Sequence, residues 1–469
     1  MVRGLRTLDK LLEIEEKEEI YQYTFSYKKI LMYPFIRSLL LQSAIEDMNK
    51  LSSPYILLKT GIINKIIFKL KSFLFRYPNK MQADIVFFGS DISNILHGNI
   101  YFNRLTECFA NEYPLKTVLI EQNDRMNYKR PRTYPKVFTK DFLDIIVRIK
   151  SAKTKANSED LKNIDDFLKC LKQRFNYEFI TNDIWYTIKS QLIIYSIELP
   201  FLLDEYIKIL KKISPKIIFL EDACYGGDKV PLIMAAKELN IAIGEYQHGF
   251  ISLAHPAYNY SEKLPSCYKY YMPDIYMSYG EYWTKNSRIP LKIFEIGNPY
   301  LSETTSQKEQ TMKKEQILYI SSTVEPERYA NEIIWLNEKF ADKGYSILFR
   351  IHPSEVHRLK TVYKPIIDAG IKIDTQPLYE TLKSTKYLIS DCSTVLFEAL
   401  MFNCIVFVIE TPLGKENLDI KQFNSAFSIE EIANNIILGN YKKNDPSFFW
   451  SDNWKLKYRQ IINKYLEDN

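Results

Sequence analysis

Short apolar runs alternate with longer amphipathic stretches along most of this chain. From residue 83 onward, four runs have the length and composition of buried strands: ADIVFFG, KTVLIEQ, KIIFLED and IAIGEYQ. Helical stretches lie between such runs, as in DKVPLIMAAKELN before the fourth. Unbroken apolar runs are typical of strands that are buried on both faces. The alternation predicts a parallel sheet covered by helices, which is the α/β class.

A second series of the same kind follows the polar stretch 302–315, whose composition is typical of a linker. Its predicted strands are QILYISS, YSILFRIHP, IKIDT, KYLISD and CIVFVIE. Predicted helices lie near residues 326–341, 356–368, 377–384 and 394–402. The chain is therefore predicted to contain two Rossmann-like domains, at residues 81–301 and 316–445.

The rest of the chain is predicted to be helical. Residues 1–80 form an N-terminal segment, helical over 8–78, in which Pro34 marks a helix start or a turn. The stretch 142–212 is a helical insertion in the first domain. Residues 446–469 form a C-terminal helix whose aromatic side chains need a surface to cover.

One part of the N-terminal segment, IINKIIFKLKSFLFRYPNK, is both amphipathic and basic. Such a helix either packs its apolar face against the protein or lies on a membrane surface. Packing is the commoner arrangement, and the sequence leaves both open.

The length and composition are those of a globular protein with two domains. A length of 469 residues exceeds the roughly 250 to 300 at which a single core stops growing, which agrees with two domains. Hydrophobic residues make up 46% and charged residues 26%, as in ordinary globular proteins. The net charge of +6 is too small for this length to indicate nucleic acid as a partner.

The cysteines and the N-terminus predict a location. The six cysteines form no CxxC pair, which argues against a zinc knuckle and a disulfide scaffold. The first twenty residues are charged throughout, unlike a signal peptide, and no apolar run reaches about 18 residues. We expect a cytoplasmic protein, either free or at the inner face of the cell membrane.

Several common enzyme signatures are absent from the sequence. The chain has no P-loop, GxGxxG, HExxH or GxSxG motif, which removes the usual ATPase, dinucleotide, zinc-protease and serine-hydrolase interpretations. It also has no DxD motif between apolar flanks. We therefore expect no metal ion and no other cofactor.

The end of one predicted strand carries a histidine. Ligands in open parallel sheets bind beyond the carboxyl ends of the strands, so the residue after each apolar run is a candidate for chemistry. His352 follows the strand YSILFR, which ends with Arg350, and Pro353 then interrupts the backbone hydrogen bonding. The alternative is a structural or solvated histidine.

A third segment, SDCSTVLFEAL, places hydroxyl groups where a helix is predicted to begin. Exposed N–H groups and the helix dipole favour an anion there, and Ser393 and Thr394 add donors. Ser393 is also a suitable N-cap, and the two roles are compatible. Glu398, one turn later, is either a ribose-binding carboxylate or an exposed helical residue.

The first predicted domain has candidates at the same kind of position. Glu221 and Asp222 end the strand of KIIFLEDACYGGDK, and paired acids there are either a general base or helix caps. His248 follows the strand IAIGEYQ, and the loop after it contains His255 and several tyrosines. This loop is either part of a site or a polar connection.

Taken together, these motifs resemble those of bacterial capsule and surface-polysaccharide glycosyltransferases of the GT-B fold. The motifs are QHG after a strand, GNP at 297–299, R-x-HP at 350–353 and S-D-x-S-[ST] followed by a Glu. The group includes the Kdo transferases of capsule synthesis and the polysialyltransferases. The CDP-glycerol glycerophosphotransferases are similar too. The resemblance covers about residues 80–440.

The resemblance implies two Rossmann-like domains whose parallel sheets face a central cleft. The C-terminal domain would bind a nucleotide-sugar, CMP- or UDP-linked, and the N-terminal domain a glycan or lipid-linked glycan acceptor. His352 would bind or protonate the donor phosphate together with Arg350. The other implied donor-binding residues are Ser393, Thr394, Glu398, Gly297 and Asn298.

The implied reaction needs a base to take the proton of the acceptor hydroxyl. The candidates are Asp222, Glu221 and His248, in that order. The chain departs from the glycerophosphotransferase pattern because it lacks a tryptophan before HG and has Thr394 where that motif has a serine. A CDP-glycerol-type transferase, a sugar-nucleotide epimerase and a non-catalytic partner in glycan assembly remain as alternatives.

Overall fold

The computed structural model describes residues 3–45, 62–78, 81–124, 126–177, 180–285, 287–306, 312–322 and 325–467. The chain forms two compact units. The seven-stranded unit comprises Thr7–His248, His255–Tyr300 and a C-terminal stretch that begins at Ser451. The six-stranded unit comprises chiefly Leu301–Trp450, together with Gly249–Ala254.

The seven-stranded sheet is parallel throughout, with the strand order β5-β4-β1-β6-β7-β8-β9. The strands β2 and β3 pair separately as an antiparallel hairpin. The strands of this unit are β1 (Ile85–Ser90), β2 (Asn94–His97), β3 (Ile100–Asn103), β4 (Thr117–Gln122), β5 (Val137–Thr139), β6 (Ile217–Glu221), β7 (Ala242–Tyr246), β8 (Ile275–Ser278) and β9 (Lys292–Glu295).

Both faces of this sheet are covered. Val86 and Phe88 of β1 belong to one buried apolar cluster, and Ile85 and Phe87 belong to another. Successive side chains of a strand point to opposite faces, so an unbroken apolar run supplies both clusters. This is why ADIVFFG forms a central strand.

The six-stranded sheet is also parallel, with the order β12-β11-β10-β13-β14-β15. Its strands are β10 (Gln316–Ile320), β11 (Ser346–Arg350), β12 (Lys372–Ile373), β13 (Tyr387–Ser390), β14 (Ile405–Ile409) and β15 (Asn424–Ala426). The α/β class and the two Rossmann-like sheets are confirmed. All nine predicted strands are present.

Helices connect the strands in both units. They are α1 (Arg3–Glu15), α2 (Arg37–Ile45), α3 (Ile62–Leu74), α4 (Glu107–Glu112), α5 (Asp141–Ser151), α6 (Ser158–Arg174), α7 (Asn182–Ile213), α8 (Val230–Glu238), α9 (Glu281–Thr284), α10 (Pro299–Ser306), α11 (Pro326–Phe340), α12 (Lys364–Asp368), α13 (Leu378–Ser384), α14 (Val395–Met401), α15 (Pro412–Asn417), α16 (Ile429–Leu438) and α17 (Trp454–Glu467).

The predicted helical insertion and C-terminal helix are confirmed, by α5 to α7 and by α17. Two other predictions need correction. The stretch 302–315 is not a linker over its first part, because Pro299 is well suited to start α10 and Leu301 is buried. Residues 307–311 of that stretch lie outside the described residues. The predicted helix 356–368 is a 3-10 helix, Pro353–Lys360, followed by α12, where Pro365 favours a new helix start.

The N-terminal segment is interrupted more often than predicted. Three 3-10 turns separate α1 from α2, and Pro34 lies in one of them, Tyr33–Phe35, which confirms the predicted turn. Residues 46–61, also predicted to be helical, lie outside the described residues. Among the helices that the structure describes, we find none whose length and apolar content would carry it across a bilayer.

A buried ion pair fixes this segment within the seven-stranded unit. Arg37 and Glu15 are 1% and 0% exposed. The guanidinium of Arg37 donates two hydrogen bonds to the carboxylate of Glu15, from Nε to Oε1 at 2.5 Å and from Nη2 to Oε2 at 2.8 Å. The guanidinium also donates to the carbonyls of Pro256 and Asn259, each at 2.7 Å, and lies over the ring of Tyr260. Every charge is paired, which is the condition for burying them.

We predict that Arg37→Met lowers the free energy of unfolding by about 3–5 kcal/mol, because it leaves the Glu15 carboxylate buried without its partner. The matched control is Arg288→Met. The Arg288–Asp9 pair has side chains that are 47% and 40% exposed, so its loss should cost at most about 1 kcal/mol. Chemical denaturation measures both, and equal effects would contradict the assigned role of Arg37.

Candidate active site

The carboxyl edge of the seven-stranded sheet brings two acids together. Glu221 ends β6, and its Oε2 accepts a hydrogen bond from the backbone N–H of Ser90 at 2.8 Å, at the end of the adjacent β1. The hydroxyl of Tyr246, which ends β7 on the other side, lies 3.5 Å from the same oxygen. A Cβ at Gly89 would lie 2.6 Å from that hydroxyl, so the glycine makes room for the pair.

Asp222 follows immediately in a left-handed conformation, with φ of 53°. Non-glycine residues adopt this conformation at a cost of about 1–2 kcal/mol, and such strain is concentrated at functional sites. The Asp222 side chain is 34% exposed, and its Oδ1 lies 3.5 Å from Nζ of Lys229. Asp222 is thus accessible, while Glu221 is held by its neighbours.

A cavity of about 120 Å³ opens onto this pair. Its charged lining residues are Glu221, Asp222, Asp228, Lys229 and Lys140. Asp228 lies between the two lysines, 3.0 Å from Lys229 and 3.7 Å from Lys140. The cavity has room for roughly four water molecules, which is enough for one polar portion of a ligand.

Burial sets the proton affinity of the two acids. Desolvation raises the pKa of Glu221 to about 7, and the negative charge of Asp222 adds to the rise. Desolvation also raises the pKa of Asp222, whereas Lys229 and His248 oppose the rise. A carboxyl that titrates near neutrality, in a cavity and beside a second carboxyl, is typical of a general acid or base.

His248 lies after β7 in the same unit. Its Nδ1 is buried and has no hydrogen-bond partner among the described residues. Desolvation lowers its pKa, and Asp222 opposes that change. The ring centroid lies 5.9 Å from that of Tyr225. A neutral imidazole with an unused nitrogen can bind a polar ligand.

His255 is occupied by the structure itself. Its Nδ1 accepts a hydrogen bond from the backbone N–H of Ala257 at 3.3 Å, so the proton of the neutral ring lies on Nε2, which is 2.8 Å from the hydroxyl of Tyr225. Desolvation lowers its pKa to about 4. His255 therefore holds Tyr225 beside His248.

One buried acid at this edge, Glu245, is not among the residues predicted from the sequence. Glu245 is 0% exposed, and it accepts hydrogen bonds from the hydroxyl of Tyr258 at 2.8 Å and the backbone N–H of Cys224 at 2.7 Å. Desolvation raises its pKa to about 7. Glu245 is a charged residue inside the apolar run IAIGEYQ, and this position could have identified it as a buried acid.

The six-stranded unit presents its own carboxyl edge. The backbone N–H of His352 donates to Oγ of Ser321 at 2.9 Å, and Ser321 donates to Glu355 at 2.8 Å. On the imidazole of His352, Nδ1 lies 2.7 Å from Oγ of Ser354, which leaves Nε2 for a ligand. Partial desolvation lowers its pKa. Ser321 directly follows β10, so the strand-end rule could have found it.

Ser393 and Thr394 lie at the same edge. Oγ of Ser393 accepts a hydrogen bond from the backbone N–H of Val395 at 3.2 Å, which is a local capping contact, and Thr394 is exposed. Glu398 is half-buried in the first turn of α14. The strands that precede His352 and Ser393 are separated by one strand, so their ends lie roughly 10 Å apart.

One predicted donor-binding residue, Arg350, already has partners within the protein, and so does an acid near Ser393. Nη1 of Arg350 contacts Asp374 at 2.5 Å and the carbonyl of Gln376 at 2.8 Å, so its charge is already paired. The acid in SDCST, Asp391, pairs with Arg328 at 2.5 Å and accepts from Tyr329 at 3.1 Å. Neither Arg328 nor its pairing with Asp391 was predicted from the sequence.

Gly297 and Asn298 belong to the seven-stranded unit, after β9. Gly297 has φ of +90°, and a Cβ there would lie 2.1 Å from the backbone oxygen of Ser451. This close approach explains the glycine without a ligand. Among the described residues, no group of three or more His, Cys, Asp or Glu is arranged to hold a metal ion.

Comparison with known proteins gives structural neighbours only. No family model and no curated protein matches the chain. The UDP-GlcNAc 2-epimerase of Methanocaldococcus jannaschii is similar over 82% of this chain and 99% of its own, with a TM-score of 0.46 and 14% identity. The Neisseria meningitidis UDP-GlcNAc 2-epimerase bound to UDP-GlcNAc gives the same coverage and TM-score at 13% identity.

A variant of the wall teichoic acid polymerase TagF is also similar. It matches 90% of this chain and 100% of its own, with a TM-score of 0.41 and 13% identity. Because these scores lie under 0.5, the fold assignment rests on the strand order of the two sheets and not on these neighbours.

We predict that Gly297→Ala destabilises the protein more than Gly98→Ala does. Both glycines have positive φ, which costs an alanine about 1–2 kcal/mol, but a Cβ at Gly98 has no atom within 4 Å. Thermal denaturation of both variants measures the difference. If the two variants were equally stable and only Gly297→Ala lost nucleotide binding, Gly297 would be a ligand-binding residue instead.

Proposed function

We propose that this protein is a glycosyltransferase that moves a sugar from a nucleotide-linked donor to a hydroxyl group of a glycan acceptor. The observation that carries the proposal is the carboxyl pair Glu221 and Asp222 beside a cavity of about 120 Å³. Transfer to a hydroxyl requires that its proton be taken as the new bond forms, and such a pair can take it.

Asp222 is the proposed base. Its side chain is accessible, and Lys229, 3.5 Å away, stabilises its ionised form. Glu221 ionises as the pH rises through about 7. Desolvation also raises the pKa of Asp222, which makes its carboxylate a stronger base, whereas the pKa of His248 is lowered.

The nucleotide is assigned to the carboxyl edge of the six-stranded sheet. Nε2 of His352 and the hydroxyls of Ser393 and Thr394 can donate hydrogen bonds to phosphate oxygens. Such donors stabilise the negative charge that the leaving nucleotide gains in the transition state. Arg350 would contribute only if a ligand replaced its contact with Asp374.

The finer assignments follow from the resemblance of the motifs. They are a CMP- or UDP-linked donor, a glycan or lipid-linked glycan acceptor, and a place in bacterial capsule or surface-polysaccharide synthesis. We propose that the reaction needs no metal ion. A CDP-glycerol-type transferase would use the same edge with a different donor, whereas an epimerase would need no acceptor.

The first test separates these classes by ligand. We expect CMP or UDP to raise the thermal midpoint of the full-length chain, because a ligand at about 100 times its dissociation constant adds about 2.7 kcal/mol of stability. A response to CDP alone would favour the glycerophosphate class. The absence of any response to CMP, UDP, GDP and CDP would contradict an enzyme of this kind.

We predict that Asp222→Asn and His352→Ala fail in different ways. Asp222→Asn should lower acceptor-dependent nucleotide release by about 10²–10⁴-fold while nucleotide binding is retained, because it removes only the base. His352→Ala should weaken nucleotide binding as well as transfer. The controls are Asp204→Asn and His357→Ala, two exposed residues of the same types.

A different outcome would contradict each part of the proposed function. Wild-type transfer by a folded Asp222→Asn protein would remove the proposed base. Wild-type binding and transfer by His352→Ala would remove the phosphate role. Conversion of the nucleotide-sugar without any acceptor would identify an epimerase.

A further inference from the structure

The helix α3 carries an apolar stripe that the protein leaves exposed. Six of its side chains are between 38% and 74% accessible to solvent: Ile63, Ile66, Ile67, Leu70, Phe73 and Leu74. Scattered exposed apolar residues are normal, but a contiguous apolar surface marks an interaction site. Packing against the protein, the commoner arrangement expected from the sequence, is therefore not what this face of the helix does.

The stripe lies on one side of the helix. With 3.6 residues per turn, the six positions fall within an arc of about 120°. Phe68 and Ser72 fall on the opposite side, and both contact Tyr128, through stacked rings 5.5 Å apart and an oxygen–oxygen distance of 2.8 Å. Just past the helix, the carbonyl of Phe75 accepts a hydrogen bond from Thr139. The helix is thus attached by one face and presents the apolar face outward.

Lysines flank the stripe. Lys69 and Lys71 lie on either side of it, and both are exposed. Lys65 is also exposed, but it lies further round the helix, toward the attached face. The stretch 62–78 contains no acidic residue. This arrangement, with an apolar face, basic flanks and one-sided attachment, is typical of helices that lie in the interface of a membrane.

The charges beside the stripe distinguish two partners that could cover it, a second copy of this chain and an anionic membrane. A second copy of this chain would bring a second set of lysines against the first, with no acid in the helix to pair with them. Anionic lipid headgroups complement the lysines, and the acyl region accepts the apolar side chains.

We propose that α3 docks the protein on an anionic membrane surface. The side chains of the stripe enter the boundary between headgroups and acyl chains, and Lys69 and Lys71 contact the headgroups. This inference does not depend on the transfer reaction, since it concerns a surface outside the candidate active site. A glycan acceptor carried on a lipid would be presented at the same membrane surface.

The test is co-sedimentation of the full-length protein with vesicles. We expect binding to vesicles of equal parts phosphatidylglycerol and phosphatidylcholine, and much weaker binding to phosphatidylcholine alone. The variant Ile63→Ser/Leu70→Ser should bind the mixed vesicles about ten-fold or more weakly. It removes two of the apolar side chains that would be buried in the membrane. Lys69→Gln/Lys71→Gln should bind more weakly as well.

The matched control is Leu115→Ser/Leu438→Ser. These leucines are 85% and 78% exposed, and they lie outside α3. We expect the control to bind as the wild type does. The thermal midpoint of the Ile63→Ser/Leu70→Ser variant should not fall, since both side chains are exposed.

Four results would overturn the proposal. The first is equal vesicle binding by the Ile63→Ser/Leu70→Ser variant and the wild type, and the second is no binding by the wild type. The third is a wild-type dimer, without lipid, that this variant converts to a monomer in light scattering, which would make the stripe a contact between copies. The fourth is a lowered thermal midpoint in the variant together with no vesicle binding by the wild type, which would mean that another segment of the chain covers the stripe.

Discussion

Parallel strand pairing is the constraint on which the candidate site depends. In each of the two large sheets every strand runs in the same direction, so the residues that follow the strands all emerge at one edge. The pairing of β1, β6 and β7 brings Ser90, Glu221 and Tyr246 together although they are far apart in sequence. An antiparallel neighbour would have sent one of these groups to the opposite edge.

Desolvation raises the pKa of both carboxyl groups in the pair of Glu221 and Asp222. Burying these groups also lowers the stability of the folded protein once they are ionised. The pKa of Glu221 is raised from its ordinary 4.5 to about 7, so the folded protein favours the neutral carboxyl. The neutral Glu221 carboxyl contributes fully to the stability of the fold below about pH 4.5, and this contribution is lost as the pH rises through about 7. Asp222 adds backbone strain at the same place. The buried pair of Arg37 and Glu15 differs, because both charges there are fully matched.

The sequence predicted the central strands and the residues that follow them, since both depend on local patterns. Unbroken apolar runs identify strands such as β6, and the next residues are then at the edge. The edge strands β9 and β15 were missed for the same reason: KIFE in β9 is half exposed and NSA in β15 is short, so neither has a distinctive pattern. Polar residues that pair over long distances were missed as well. Arg37 lies in FIRS and Arg328 in PERY, and neither segment indicates a buried or paired cation.

Direct titration of the carboxyl groups tests the central claim most directly. Carbon-13 NMR of glutamate-labelled wild type and Glu221→Gln protein would follow each carboxyl with pH. Glu221 and Glu245 should both titrate near pH 7, and one of these two signals should be missing from the variant. If the glutamate signal that the substitution removes titrates below about pH 5, where an ordinary carboxyl does, burial does not raise the pKa of the carboxyl pair toward neutrality.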